Sequence, residues 1–355
     1  MTDARVAAAL EHWAPRFIQN GVDYNDFVAT TARVSSWEDW LPEWSRTAAV
    51  HEREAQECEA RDRSLSAGHA WLRAAVCHHF GKFVWMVDRD LAAAAGDRAV
   101  AAMYHAHAHL DPTAERVAVP LDGEQVVANL RRPPGVPRPP LVVLVPGLDS
   151  TKEEFFWLEQ SFLDRGMATV SLDGPGQGET AALLPARHDY EVAVSALLDV
   201  LAGRDDLDLA RTGLYGVSLG GYYAPRVTAH EPRVRAMVAM AGPYRWGDLW
   251  DSLPPMTRET WTVKSHATSS GEARDRAALL DLTGVCERID VPALYVTGKL
   301  DRLVPWEQTR QQSEATAGSE LLAYDDGNHG CSNLSAAVRP MMADWMRERL
   351  AALPH

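Results

Sequence analysis

The sequence predicts an α/β protein: a mostly parallel, twisted sheet with helices on both faces, joined to a helical N-terminal domain and interrupted by a helical insertion. Three observations predict it. From residue 141 onward, short apolar runs alternate with amphipathic helical stretches, the pattern of a parallel sheet covered on both sides. Before about residue 112, apolar residues recur at helical spacing instead; Trp37, Trp40, Leu41 and Trp44 fall on one helix face. Third, Gly216-Val217-Ser218-Leu219-Gly220 stands between an apolar run and a helical stretch through Tyr222, Tyr223 and Val227. Gly-x-Ser-x-Gly in that context is a tight, strained turn that lifts a serine hydroxyl above a sheet. Small residues are needed two before and two after the serine, because a side chain there collides with neighbouring backbone.

The elements follow in order. Residues 1–110 read as helical, with apolar stripes over 70–87 and 91–108 and with Gly68, Gly81 and Gly96 as expected breaks. Six of the twelve tryptophans lie here and are expected to fill a helical core. His105, His107 and His109 alternate, but only His105 and His109 share a helix face and no carboxylate partner is evident, so no metal site is expected. Residues 116–120 and 124–130 flank Asp122-Gly123, a hairpin signal. The Pro-rich stretch 131–140 reads as a surface loop between strands. Leu141-Val-Val-Leu-Val145 is a continuous apolar run, as buried strands are. A helix is expected over 152–164, a strand over 167–172 and a helix over 189–201. In that last helix Tyr190, Ala193, Val194, Leu197, Leu198 and Leu201 form an amphipathic stripe. Strands at 212–216 and 234–241 bracket the serine turn and its helix. The alternation stops over about 243–289, a segment with Trp246, Trp250 and Trp261 that reads as the helical insertion. Strands resume at 293–297 and 320–324, and a helix over 335–352 closes the chain. The expected domains are therefore 1–112, helical, and 113–355, the sheet domain.

Composition bounds the function. The chain has 355 residues, 46% hydrophobic and 24% charged, which is ordinary for a globular protein. A formal charge of -14 argues against a nucleic-acid partner, since phosphate binding needs a basic surface. Cys58, Cys77, Cys286 and Cys331 are scattered with no Cys-x-x-Cys pair and read as free thiols of a reducing compartment. With no signal peptide and no apolar run of membrane-spanning length, a cytoplasmic protein with no membrane partner is expected.

A nucleophilic serine needs a base, and the base needs an orienting acid. Gly298-Lys-Leu-Asp301 places an aspartate just past the strand at 293–297. Asp325-Asp-Gly-Asn-His329-Gly330 places a histidine just past the strand at 320–324. Loops at the carboxyl ends of parallel strands converge on one crevice, and the order Ser218, Asp301, His329 is that of an α/β-hydrolase. Asp325 and Asp326 are rival acids. His329 would take the Ser218 proton and return it to the leaving group. Leu219 N–H, at a helix N-terminus, and Leu148 N–H, in Val145-Pro-Gly-Leu-Asp-Ser150, are the candidate oxyanion donors. Asp173-Gly-Pro-Gly-Gln-Gly178 lacks the spacing of a phosphate loop and reads as a structural turn. No cofactor or metal is called for.

The Pro-Gly-Leu-Asp-Ser loop with Lys152-Glu153, Asp-Gly-Pro-Gly-Gln-Gly, the serine turn, residues 250–261, Gly-Asn-His-Gly-Cys-x-Asn-Leu and Met342-Ala-Asp-Trp345 resemble the FrsA-like (esterase/hydrolase) branch of α/β-hydrolases over nearly the whole chain. That branch includes carbon–carbon bond hydrolases of bacterial nicotine breakdown and polyketide chain-shortening hydrolases of fungal pigment pathways. The resemblance carries the triad onto Ser218, Asp301 and His329. It implies a homodimer, a small-molecule substrate bound between the helical domain and the core, and in the nicotine enzyme an extra acidic residue in the cleft. Asp248, Trp250, Asp251 and Tyr222 are the candidate cleft residues, with Glu259 a further nearby acid. Three functions stay open: cleavage of a carbon–carbon bond beside a ketone, ester, thioester or lactone hydrolysis or acyl transfer, and partner binding on a hydrolase scaffold.

Overall fold

The computed structural model describes residues Asp3–Leu353. The chain forms two compact units, one running to Ala114 and taking in Glu153–Trp157, the other made of Glu115–Lys152 and the chain from Leu158 onward.

The first unit holds α1 (Ala4–Gln19), α2 (Tyr24–Thr31), α3 (Trp40–Glu59), α4 (Ser64–Lys82) and α5 (Arg89–Leu110). Asp3, Asp23 and Asp88 cap α1, α2 and α5, each side chain accepting a backbone N–H of the first turn. The tryptophans are packing residues, as expected. Phe17 stacks on Phe80 at 3.9 Å between ring centres, with Trp40 and Trp44 edge-on around it. The indole N–H groups of Trp40 and Trp85 donate to Phe80 O and Trp37 O, so these buried rings keep their polar atoms paired. The expected glycine breaks are not breaks: Gly68 and Gly81 lie inside α4 and Gly96 inside α5. Close packing explains the first two. A Cβ on Gly68 would lie 2.6 Å from Leu110 Cγ, and one on Gly81 3.0 Å from Trp44 Cβ.

The second unit is built on eight strands: β1 (Glu115–Leu121), β2 (Glu124–Arg131), β3 (Pro140–Val145), β4 (Ala168–Asp173), β5 (Asp208–Val217), β6 (Val234–Met240), β7 (Ala293–Gly298) and β8 (Glu320–Tyr324). Their order is β1-β2-β4-β3-β5-β6-β7-β8. β1 and β2 form the expected hairpin and join β4 antiparallel; every pairing beyond is parallel. All residues of β4 and of β7 are buried, which demands cover on both faces. The covering helices are α6 (Phe156–Leu163), α7 (Glu191–Leu201), α8 (Leu219–Thr228), α11 (Trp306–Ala315) and α12 (Ser335–Ala351); the insertion carries α9 (Pro255–Lys264) and α10 (Ser270–Ala278). The helix expected over 152–164 is a 3₁₀ turn at Lys152–Glu154 followed by the shorter α6. α11 has no counterpart in the sequence reading. Between Trp306 and Ala315 its sequence is polar, and the residues it buries are Thr309 and Gln312, so no apolar stripe announces it. Gln312 instead donates to Gly221 O and Pro243 O, and its neighbour Gln308 accepts the N–H groups of Tyr244 and Arg245. Among the described residues no helix is long and apolar enough to cross a membrane, and the four cysteines are unpaired thiols.

Candidate active site

The serine turn is tightly constrained. Ser218, between β5 and α8, has φ 60° and ψ −122°, a strained conformation for a residue with a side chain. Its N–H donates to Met240 O at 2.9 Å, which ties the turn to the end of β6. The flanking glycines are required by close approach: a Cβ on Gly216 would sit 2.0 Å from Gly220 O, and one on Gly220 2.3 Å from Val145 O. The loop after β3 therefore passes directly against the turn. A Cβ on Gly147 would lie 3.4 Å from Ser218 Oγ, so the residue preceding Leu148 borders the hydroxyl itself. Leu219 opens α8, a ten-residue helix whose N-terminal dipole end is directed at the serine turn.

The loops after β7 and β8 are locked together. Lys299 N–H donates to Tyr324 O and Leu300 N–H to Gly327 O, and Gly298 and Gly327 are too close for a side chain on Gly298. This brings Asp301 to His329. The imidazole Nδ1–H donates to Asp301 Oδ2 at 2.7 Å, and the other carboxylate oxygen accepts the N–H groups of Leu303 and Val304 at 2.8 and 2.9 Å. The Asp301 side chain is fully buried, whereas that of His329 keeps 17% of its surface. Because a carboxylate can only accept, Nδ1 carries a proton, so in the neutral ring Nε2 presents the lone pair that a general base needs. The rival acids are elsewhere: Asp325 is exposed and paired with Lys299, and Asp326 is exposed, its backbone carbonyl accepting from Asn333. The His329 loop also runs beside the strand that bears the serine, since a Cβ on Gly330 would be 3.4 Å from Val217 Cγ2.

Asn328 and Asn333 shape that loop. Asn328 N–H donates to Asn333 Oδ1, while Asn328 Oδ1 accepts from the Ser332 hydroxyl and Asn333 N–H. The spacing of Asn and His in Gly-Asn-His-Gly-Cys-x-Asn was the visible signal for this brace. Burial pushes the neighbouring Cys331 thiol up to about 12, so it stays protonated near neutrality and is no rival nucleophile.

The candidate cleft residues fall into two groups. Tyr222 is fully buried, its hydroxyl donating to His188 O, and Trp250 is part of the sheet unit's core. Asp248 and Asp251 are exposed and paired with Arg245 and Arg274, and Glu259 is exposed on α9. The three histidines of α5 have separate surroundings: His105 stacks on Trp71, His107 on Phe156, and His109 donates to Glu59 on α3, the carboxylate partner that sequence spacing could not show.

Comparison with known proteins accords with this geometry. The profile of the family described as "Esterase FrsA-like" matches residues 23–247, and that of the prolyl oligopeptidase family matches 153–352. The chain is 35% identical over 339 residues to 2,6-dihydropseudooxynicotine hydrolase of Paenarthrobacter nicotinovorans, spanning 95% of this chain and 91% of that one. The chain belongs to the FrsA-like esterases of the α/β-hydrolase fold. The crystal structure of a 2,6-dihydroxy-pseudo-oxynicotine hydrolase superposes with a TM-score of 0.88 at 35% identity, covering 95% of this chain and 96% of that one. A 20-hydroxy-prefusarin hydrolase of Gibberella moniliformis is 32% identical over 253 residues, 66% of this chain and 60% of that one. This FrsA-like protein is therefore a hydrolase of the α/β-hydrolase fold.

Proposed function

We propose that this FrsA-like protein is a serine hydrolase that cleaves a carbon–carbon bond beside a ketone in an aromatic or polyketide-like small molecule, through an acyl-enzyme on Ser218. The observation that carries the serine chemistry is the commitment of His329 Nδ1 to the buried Asp301, in a loop adjoining the strand of the strained Ser218 turn. His329 Nε2 takes the Ser218 proton as Oγ adds to the ketone carbon. The resulting oxyanion is held by the N–H groups of Leu148 and Leu219. When the tetrahedral centre collapses, the carbon–carbon bond breaks and its electron pair leaves on the departing carbon, which His329 protonates. Water, deprotonated by His329, then adds to the acyl-enzyme, releasing a carboxylic acid and restoring the serine. The leaving carbon must delocalise charge, so the substrate class is an aryl ketone with an electron-rich ring or a β-dicarbonyl. Support for carbon–carbon cleavage comes from the near full-length likeness to a pseudooxynicotine hydrolase and from the likeness to a prefusarin hydrolase. A homodimeric assembly, implied by the same kinship, is checked by light scattering in solution.

The test is to incubate the protein and Ser218→Ala with aryl β-diketones and matched aryl esters, and to read products and protein adducts by mass. Serine-dependent ketone cleavage is expected. Turnover of esters alone would replace the reading with an esterase, and turnover by the alanine variant would end it.

A further inference from the structure

The Asp173-Gly-Pro-Gly-Gln-Gly178 segment is the turn that its glycines indicate, but its one amide side chain reaches across the fold. Gln177 is buried. Its Nε2 donates to Pro146 O at 2.6 Å and to Gly147 O at 3.2 Å, two successive carbonyls of the loop after β3. Its Oε1 accepts Gly174 N–H at 3.0 Å and the hydroxyl of Tyr190 at 2.7 Å. Tyr190 is itself fully buried and stacked on Tyr223 at 4.2 Å between ring centres. The amide is thus oriented from behind by Gly174 N–H, which only an acceptor can satisfy, and both its protons face the loop.

The consequence follows from peptide geometry. Gly147 C=O and Leu148 N–H belong to one planar peptide unit, and no peptide bond in the described chain is cis. In a trans unit the N–H points opposite to the C=O. Holding Gly147 O therefore sets the direction of Leu148 N–H, and turning that plane would break the Gln177 bond. The next plane is held as well, because Lys264 Nζ, at the end of α9 in the insertion, donates to Leu148 O at 2.5 Å. Leu148 has a pinned peptide on each side, next to a glycine that borders Ser218 Oγ.

We infer that Gln177 is a positioning residue for the oxyanion hole, fixing the plane of the peptide that supplies the Leu148 donor. The inference rests on the proposed role of Leu148 and Ser218. Gln177→Glu is the sharpest variant: it keeps the acceptor for Gly174 and Tyr190 but replaces the two donated protons with lone pairs facing two carbonyls. Gln177→Met removes the polar contacts while keeping the length, and Tyr190→Phe removes only the support behind the amide.

The experiment measures kcat and KM for an aryl ester or β-diketone, the rate of Ser218 phosphonylation, product inhibition constants and melting temperature. Loss of a whole oxyanion donor costs about 10²- to 10³-fold, so a misdirected one is expected to lower kcat by about 10- to 100-fold in Gln177→Glu and Gln177→Met. Phosphonylation should slow in step, since the phosphonyl oxygen needs the same donors, while KM and product inhibition stay near wild type. Tyr190→Phe should give a smaller fall of the same kind. A merely structural side chain would lower the melting temperature and leave the kcat of the folded fraction alone; that result, or kcat within twofold of wild type in all three variants, would overturn the inference while the triad stands. Turnover by Ser218→Ala would instead remove the reading beneath it.

Discussion

Two histidine–carboxylate pairs in this FrsA-like hydrolase share the same chemistry and differ in almost everything else. In the sheet unit, His329 donates to Asp301 at 2.7 Å while its own side chain keeps partial exposure. In the helical unit, His79 donates to Glu154 at 3.1 Å with both side chains inaccessible or nearly so. Glu154 there also accepts from the Arg16 guanidinium and from Asn20 at 2.7 Å each, so the carboxylate is saturated by fixed donors. Burial alone would raise the Glu154 carboxyl, but the Arg16 charge and the donated hydrogen bonds outweigh it and hold it well below the usual range. Burial pushes His79 down despite the carboxylate beside it. The two residues thus sit as an ionised acid and a neutral ring, a finished structural cluster. The lesson is that a histidine–carboxylate pair is poised for proton transfer only when one ring nitrogen is left toward a crevice and the acid serves only to orient.

The largest effect is expected at the proposed nucleophile. Ser218→Ala is expected to lower kcat on the order of 10⁶-fold, with an unchanged melting curve, because members of a triad act as a unit. Asp301→Asn should cost about 10⁴-fold by favouring the wrong tautomer of His329; a loss of tenfold or less would show that the 2.7 Å bond does not serve catalysis.

The helical cluster should respond in stability. Glu154→Ala removes the buried acceptor shared by Arg16, Asn20 and His79, for which about 3–5 kcal/mol of unfolding free energy is the expected loss by urea denaturation. A loss below about 1 kcal/mol would mean that water reaches Arg16 freely.

Acid should act on the same unit. His78 and His79 are both pushed down by burial, each against the pull of its carboxylate partner. A ring that is neutral in the fold takes up a proton more readily when unfolded, so its stabilisation is complete above about pH 6.5 and is lost as pH falls below it, at up to about 1.4 kcal/mol per pH unit for each proton. Glu154 has its carboxyl lowered in the fold, so its contribution persists to lower pH and fades only below about pH 4. Denaturation midpoints measured between pH 8 and pH 5 should fall, and His79→Gln should flatten that slope; an equal slope in the variant would assign the acid sensitivity elsewhere. The smallest effect is expected at the exposed rival acids. Asp325→Asn should leave kcat within about twofold, since exposed substitutions away from special features seldom exceed about 0.5 kcal/mol.

Much of this was legible in the chain. The strand–helix alternation from residue 141 reads directly, because parallel strands covered on both faces must be apolar throughout and their helices must carry one apolar stripe. The serine turn reads for a still more local reason: Gly216 and Gly220 are demanded by sterics within a few residues of Ser218. What hid α11 was that its buried groups are Thr309 and Gln312, whose value lies in hydrogen bonds made far away in sequence. Gly68 and Gly81 misled in the opposite way, since a glycine that admits a neighbouring helix has the same letter as one that ends its own.

The serine turn, the parallel sheet and the order of Ser218, Asp301 and His329 after β5, β7 and β8 could be read from the chain alone, because sterics and side-chain periodicity are written in adjacent residues. Only the tertiary structure decided that Asp301 rather than Asp325 or Asp326 orients His329, and that Gln177 reaches 31 residues back to hold Pro146 O. Those pairings depend on strand register and on which loops the sheet brings side by side, and no local pattern encodes a distance through space.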